Sequence, residues 1–93
     1  MKLGQSKQGR DKDQVYVIIE EQDQSYLVAD GKYKLVDTPK RKNKKHIQII
    51  GKLPEDKELK KLAEQFDTGC GLTDVEAKRI LTLYKKYRRN EDV

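Results

Sequence analysis

Apolar residues in the first half of this chain form short runs of the kind found in β-strands. Residues 15–19, Val-Tyr-Val-Ile-Ile, are rich in β-branched and aromatic side chains and predict a strand. Residues 25–29 predict a second strand, and the Asp30-Gly31 pair that follows favours a two-residue type I′ turn. In residues 32–36, lysines alternate with Tyr33 and Leu35, and this alternation predicts a third strand that folds back on the second. Residues 46–50 predict a further strand.

From residue 54 onward the apolar spacing changes to that of helices. Leu59, Leu62, Ala63 and Phe66 follow the i, i+3, i+4, i+7 spacing of one helical face. Residues 67–71, Asp-Thr-Gly-Cys-Gly, interrupt this pattern and indicate a turn between helices. The second helix is predicted to begin near Thr73 and to carry an apolar stripe, which must be buried on the first helix, on the β unit or on a partner. The members of that stripe are Ala77, Ile80, Leu81, Tyr84 and Tyr87.

The start of the second helix carries a recognisable capping signal. Thr73 and Glu76 have the spacing of a capping box, in which both side chains satisfy free amides at a helix start. The first helix has Asp and Glu in its first turn, where negative charge suits the helix dipole. The second helix ends in Lys85, Lys86, Arg88 and Arg89. These residues either extend a basic binding surface or form a solvated helix end, and we favour the solvated end.

Residues 1–14 are polar. Among them, Leu3 alone is expected to contribute a short edge of sheet, and Gly9 predicts a turn over residues 9–12 because glycine accepts positive φ. Lys7, Arg10 and Lys12 would project from that turn. Short strands at this spacing favour a small barrel over a βαβ unit. The predicted class is therefore α+β, with a β unit at residues 1–52 and a C-terminal helical extension at residues 53–93.

The excess of positive over negative charge in this chain is confined to its first half. The net charge is +5, and residues 1–52 hold twelve Lys or Arg against seven Asp or Glu, whereas residues 53–93 hold nine of each. Such an asymmetry suggests a surface for a polyanion. The densest segment lies between two predicted strands, so it is predicted to be a loop held at both ends. Its basic residues are Lys40, Arg41, Lys42, Lys44 and Lys45, and they are followed by His46.

The sequence offers little for catalysis or metal binding. His46 and Cys70 are the only residues of their types, which is too few for a zinc site, and no phosphate-binding glycine motif occurs. We therefore expect no enzyme activity, no cofactor and no metal. The longest apolar run is far shorter than the roughly 20 residues of a membrane helix, and the N-terminal segment lacks the apolar core of a signal peptide. These observations favour a cytoplasmic protein.

The order of the motifs in residues 4–50 resembles that of the bacterial KOW-domain RNA-binding proteins, which in turn resemble KOW-containing large-subunit ribosomal proteins of archaea and eukaryotes. The resemblance rests on three segments and on the Leu72, Thr73 and Glu76 positions of the second helix. The first segment is Ser6, Lys7, Gly9, Arg10, Asp11 and Lys12; the second is Val28, Asp30 and Gly31; the third is Pro39, Lys40, Arg41, Lys42, Asn43, Lys45 and His46.

This resemblance implies a five-stranded SH3-like β-barrel of KOW type and binding to RNA, plausibly ribosomal RNA or the large ribosomal subunit. The chain departs from the family pattern at two places. The apolar strand that precedes Ser6 in the family is either lost here or replaced by residues 1–3. The family also tends to have Gly at the position of Asp13, which suggests a wider turn in this chain.

The RNA-binding residues predicted in this way are Lys7, Arg10, Lys12, Lys40, Arg41, Lys42, Lys44, Lys45 and His46. The alternative function is a protein–protein adaptor that binds an acidic partner through the barrel and the amphipathic C-terminal helices. A solvated basic face is the simplest structural explanation of the same residues. Tyr16, Tyr26 and Tyr33 alternate with core positions, so we expect them to be half-buried packing residues.

Overall fold

The computed structural model of the chain describes residues 2–7, 9–10, 12–51, 53, 55–66 and 71–91, with side chains as far as residue 86. These residues form an antiparallel sheet of five strands and two α-helices, which confirms the α+β class. The strands are β1 (Leu3–Ser6), β2 (Val15–Glu21), β3 (Ser25–Ala29), β4 (Lys40–Asn43) and β5 (Ile47–Ile50). A 3-10 helix (Lys44–His46) joins β4 to β5, and the α-helices are α1 (Lys57–Gln65) and α2 (Asp74–Glu91).

The strands lie in the order β4-β3-β2-β1-β5. Strands β2 and β3 form where the sequence predicts them, and β5 begins one residue later than predicted. The first strand is not lost: β1 exists, and it lies inside the sheet between β2 and β5. The expectation that Leu3 would supply only an edge is wrong, because Leu3 is paired with both Val17 and Ile50.

The predicted third strand at residues 32–36 is wrong, and the strand that pairs with β3 is β4 instead. The cause is the side chain of Asp30, whose Oδ1 accepts hydrogen bonds from the backbone N–H groups of Lys32, Tyr33 and Lys34, each at 2.9 Å. A side chain that binds three consecutive amides competes with a strand ladder for them. Residues 30–34 therefore form a compact loop, and strand pairing resumes only at Lys40.

The sheet carries a hydrophobic cluster on each of its faces, because β2 is buried on both. Val15 and Val17 of β2 pack with Leu3 against the helices. The helical stripe is thus buried on the other helix and on the sheet. Of the predicted stripe of α2, Ala77, Ile80 and Leu81 are buried in this cluster and Tyr84 is partly buried against it. The other buried residues that the helices and their ends contribute are Leu59, Phe66, Leu72 and Leu83, and the predicted stripe did not include Leu83. The opposite face of the sheet holds the second cluster, which consists of Tyr16, Ile18, Tyr26, Val28 and Ile47.

The connection between β4 and β5 requires the sheet to bend. Four Cα–Cα steps separate Asn43 from Ile47, which can span at most about 15 Å. The edges of a flat five-stranded sheet are about 19 Å apart. The strands must therefore curl toward each other around the second cluster for the 3-10 helix to join them. No ladder connects β4 with β5 in the described part of the chain, so the sheet is bent but not closed.

The two helices begin at the polar residues that the sequence favours. Asp56 caps α1 by accepting a hydrogen bond from Leu59 N at 2.8 Å. Thr73 Oγ1 accepts from Glu76 N at 3.3 Å, which is the first contact of a capping box, whereas Glu76 Oε1 accepts at 2.9 Å from the Thr73 hydroxyl and not from the backbone N–H that the full motif uses. The predicted inter-helix turn with Cys70 lies outside the described residues, as do the side chains of Tyr87, Arg88 and Arg89.

Gly4 shows how little space the second cluster leaves. A Cβ on Gly4 would lie 2.6 Å from Ile47 Cγ2 and 3.2 Å from Ile18 Cδ1. The Cγ2 methyl is fixed to the branched carbon of a buried side chain, so it cannot move away without a shift of the strand. Only glycine allows β1 to lie this close to the isoleucines of β2 and β5.

We expect Gly4→Ala to lower the free energy of unfolding by about 1–3 kcal/mol, the usual cost of overpacking a core. Urea unfolding followed by circular dichroism measures this change. Gly51→Ala is the matched control, since a Cβ at Gly51 has no neighbour within 4 Å. That control should stay within about 0.5 kcal/mol of the wild type. Equal stability of both variants would show that the second cluster is more loosely packed than the structure indicates.

Candidate nucleic-acid interface

The dense basic segment is an edge strand followed by a 3-10 helix, and not the loop that the sequence predicts. Residues 40–46, hereafter the basic edge, begin with β4, which pairs only with β3 among the described strands. Lys40 and Arg41 are exposed there. Charged side chains on an edge strand also discourage pairing with other chains, which is the structural explanation of such residues.

The register of β4 divides its cations between the two faces of the sheet. Lys40 is opposite Val28 and Lys42 is opposite Tyr26, so both lie on the face of the second cluster. Arg41 is opposite Leu27 and points to the other face. Lys42 is half-buried, whereas Lys40 and Arg41 are exposed. The strand therefore presents positive charge along its edge rather than on one flat surface.

The 3-10 helix is held at its start by Asn43 and at its end by a contact with the N-terminal segment. Asn43 Oδ1 accepts from Lys45 N at 2.9 Å, and Lys44 N donates to Gln24 O at 3.0 Å. At the other end, Lys7 N donates to His46 O at 2.9 Å. The predicted site residues Lys7 and His46 are thus brought together, although 38 residues separate them in the chain.

The cations of the 3-10 helix differ in how freely they can reach a ligand. Lys45 is exposed. Lys44 Nζ instead bonds Glu21 Oε2 at 3.0 Å and lies 5.2 Å from the centre of the Tyr26 ring. The hydrogen bond from Lys44, with the charges of Lys44 and Lys2, holds the pKa of Glu21 below its usual value. Part of the charge of Lys44 is therefore already balanced within the fold.

His46 has an atom that the described structure leaves unsatisfied. Its Nδ1 is buried and has no hydrogen-bond partner there. The imidazole is only partly exposed, so it is less accessible to RNA than the neighbouring Lys45.

The predicted turn at Gly9 is present, and we call residues 9–12 the glycine turn. Lys12 N donates to Gly9 O at 3.3 Å, and Gly9 has a φ of 86°. Arg10 and Lys12 are both exposed. Asp13, directly after this turn, has a φ of 73°, in the left-handed region that favours glycine. Glycine would adopt this conformation at lower cost than aspartate does.

The structure joins some of the predicted residues and separates others. Lys7 is in contact with the 3-10 helix, and one residue separates Lys7 from the glycine turn in the chain. Lys40 and Arg41 lie on β4, which β3 and β2 separate from β1 in the sheet order. The predicted cations thus form two groups. One group lies on the basic edge and the other lies in the β1–β2 connection, and the 3-10 helix at the end of the basic edge contacts that connection through Lys7.

Sequence reasoning missed the loop of residues 30–34. Tyr33 was expected to be half-buried, but it is 79% exposed, whereas Tyr16 and Tyr26 are buried as packing residues. Lys32 Nζ lies 4.9 Å from the centre of the Tyr33 ring, and Lys34 Nζ lies 5.0 Å from that of Tyr16. The signal for this loop was Asp30 before a glycine, since Asp can bind the amides that follow it instead of opening a hairpin.

No protein-family model matches the chain, and no curated protein matches it. Among the described residues, no three His, Cys, Asp or Glu side chains are grouped so that they could hold a metal ion. None of the helices in that part of the chain has a segment long and apolar enough to cross a membrane.

Acidification should release the loop of residues 30–34. Partial burial raises the pKa of Asp30, but the amides of Lys34, Lys32 and Tyr33 and the charge of Lys34 outweigh it, so the pKa lies below its usual value. The stabilisation is therefore complete above the ordinary aspartate pKa of about 3.9 and is lost as the pH falls through the lower folded-state value. The three amide signals in NMR spectra should titrate together, with a midpoint below about pH 3.9. Asp30→Asn should abolish this titration, and a midpoint at or above that value would contradict the geometry.

Proposed function

We propose that the protein is a non-enzymatic, cytoplasmic RNA-binding protein that holds structured RNA, in particular ribosomal RNA, through the basic edge and the glycine turn. The observation that carries the proposal is the exposed row of cations on the edge strand and the 3-10 helix. Lys40, Arg41 and Lys45 are exposed and form no ion pair with an acid in the described part of the chain. Their charge is therefore available to an external anion.

Cations in this arrangement suit a phosphate backbone rather than individual bases. Contacts of Lys and Arg with phosphates supply most of the sequence-independent affinity for nucleic acids. Double-stranded RNA is recognised mainly by its shape and its backbone, because its deep major groove is closed to side chains. Lys7, Arg10 and Lys12 would add contacts from the β1–β2 connection, while Lys44 would contribute less because it is paired with Glu21.

The proposal includes an SH3-like barrel of KOW type. The strand order, the bend of the sheet and the 3-10 helix between the edge strands support this assignment, and so do the motifs of residues 4–50. The resemblance of those motifs to KOW-containing ribosomal proteins is the reason for choosing ribosomal RNA over other structured RNA. The C-terminal helices remain available to a protein partner on the surface that does not face the sheet.

Removal of the edge charge should release the protein from ribosomes. We expect the wild type to sediment with large ribosomal subunits in a sucrose gradient at low salt. The triple variant Lys40→Ala/Arg41→Ala/Lys45→Ala should remain at the top of the gradient. The matched control is Lys57→Ala/Lys60→Ala/Lys61→Ala, which removes the same charge from exposed positions of α1 and should sediment like the wild type.

The outcomes of this experiment separate the proposed function from its rivals. Equal loss of binding in both triple variants would mean that only net charge matters. A wild type that stays at the top of the gradient at low salt would contradict ribosome association. If added RNA then fails to displace an acidic protein partner from the wild type, the adaptor function would replace RNA binding.

The salt dependence of binding should report the number of phosphate contacts. In fluorescence anisotropy with a labelled RNA hairpin, the slope of log K against log salt concentration should become less steep in the edge variant. Each lost contact is worth about 0.7–0.9 in that slope, so the change should be about 2–3 for three cations. The α1 control should keep the wild-type slope. An unchanged slope in the edge variant would place the phosphate contacts elsewhere.

A further inference from the structure

A cleft lies beside the loop of residues 30–34, and none of its described lining residues belongs to the basic edge. It has a volume of about 310 Å³ and is bounded by the start of β2, by that loop and by one face of α2. This volume is at the lower end of the range for small-ligand sites, which suits a single nucleotide. The residues that line it are Gln14, Val15, Asp30, Lys32, Tyr33, Lys78, Leu81, Thr82 and Lys85. We call it the lysine cleft.

The walls of the lysine cleft are held in place by contacts between the loop and α2. Gly31 has a φ of 78° and is packed so closely on the helix that a Cβ there would overlap the carbonyl oxygen of Asp74. Val36 N donates to Asp74 Oδ1 at 2.7 Å, which fixes the other end of the loop. Asp30 binds the amides between these two points. The loop therefore presents its side chains from a fixed backbone.

Tyr33 is a large aromatic ring at the mouth of this cleft, and 79% of it is exposed. Lys32 Nζ lies 4.9 Å from the centre of the ring, so the face that Lys32 leaves open is available to stack on a base, and the fixed loop lowers the entropy cost of doing so. Because base–aromatic stacking needs no particular base, a ring of this kind would accept any unpaired nucleotide. An ordinary packing tyrosine would be covered, as Tyr16 and Tyr26 are.

The opposite wall supplies positive charge. Lys78 and Lys85 are seven residues apart on α2, so they lie on the same face two turns apart, and both are exposed. Lys32 adds a third cation. Among the described residues of the lining, the one carboxylate belongs to Asp30, whose Oδ1 already accepts three amide hydrogen bonds. The lining thus combines an aromatic platform with an excess of cations, and this combination suits a base linked to a phosphate.

We infer that the lysine cleft binds one unpaired nucleotide of the bound RNA, with the base stacked on Tyr33 and the phosphate beside Lys78 and Lys85. This inference rests on the proposed function and extends it, because it assigns a contact to unpaired RNA on the helical side of the protein. Backbone contacts at the basic edge would hold the paired RNA, and the cleft would favour RNA with a displaced base over a continuous duplex.

A pair of RNA probes tests the inference. Fluorescence anisotropy would compare a labelled RNA hairpin with hairpins that carry one extra uridine as a bulge, moved stepwise along one strand. We expect the wild type to bind at least one bulged hairpin more tightly than the continuous one. Tyr33→Ala should remove this preference, with a loss of about five- to a hundredfold on the bulged probe. It should leave binding of the continuous hairpin unchanged.

Two further variants assign the roles within the cleft. Tyr33→Phe keeps the ring and should bind every probe within about twofold of the wild type. Lys78→Ala/Lys85→Ala should lose the preference for the bulged probe as well. Its matched control is Lys57→Ala/Lys60→Ala, which removes two exposed lysines from α1 and should keep that preference.

The possible results distinguish failure of this inference from failure of the proposed function. If the wild type binds all hairpins equally and Tyr33→Ala changes none of them, the cleft does not bind a nucleotide, although RNA binding stands. If the wild type binds no hairpin even at low salt, RNA binding itself is overturned. If Tyr33→Ala weakens the bulged and continuous probes alike, the ring supports the fold rather than a base, and the inference is wrong.

Discussion

The bend of the sheet is the constraint on which the rest of this structure depends. Three residues of 3-10 helix join strands at opposite edges of a five-stranded sheet, and this is possible only because the sheet curls. Curling encloses the cluster around Tyr16 and Ile18 and leaves no space for a side chain at Gly4. The outer face of the bent sheet is then covered by the two helices. Both faces of β2 are therefore buried, which is unusual for an antiparallel sheet of so small a protein.

The same bend determines how the positive charge is presented. The 3-10 helix follows the basic edge strand and contacts the connection that carries Lys7 and the glycine turn, so Lys7 and His46 lie together although they are far apart in the chain. The fold also reduces the charge at one position, because Lys44 is paired with Glu21. A simple count of basic residues would overlook this difference between Lys44 and its exposed neighbour Lys45. Fewer cations of the basic edge are therefore available to an external anion than the sequence indicates.

Much of the fold could be predicted because it depends on local signals. The β-branched run of β2, the apolar spacing of α1 and the capping pair of Thr73 and Glu76 each favour one structure whatever surrounds them. The third strand was mispredicted because two local signals compete at Asp30: Asp-Gly favours a hairpin, and the Asp carboxylate also binds the amides after it. Contacts of Gly31 and Val36 with Asp74 favour the second outcome, and these come from residues about 40 positions away.

The sequence by itself determined the α+β class, the positions of most strands and helices, and the concentration of charge in the first half of the chain. These follow from side-chain periodicity, turn chemistry and composition, which act over a few residues. Only the tertiary structure decided that the basic segment is an edge strand, that β1 lies inside the sheet and that Tyr33 is exposed above a cleft lined by lysines of α2. Such features depend on which distant segments meet, and a single sequence carries no direct record of those contacts.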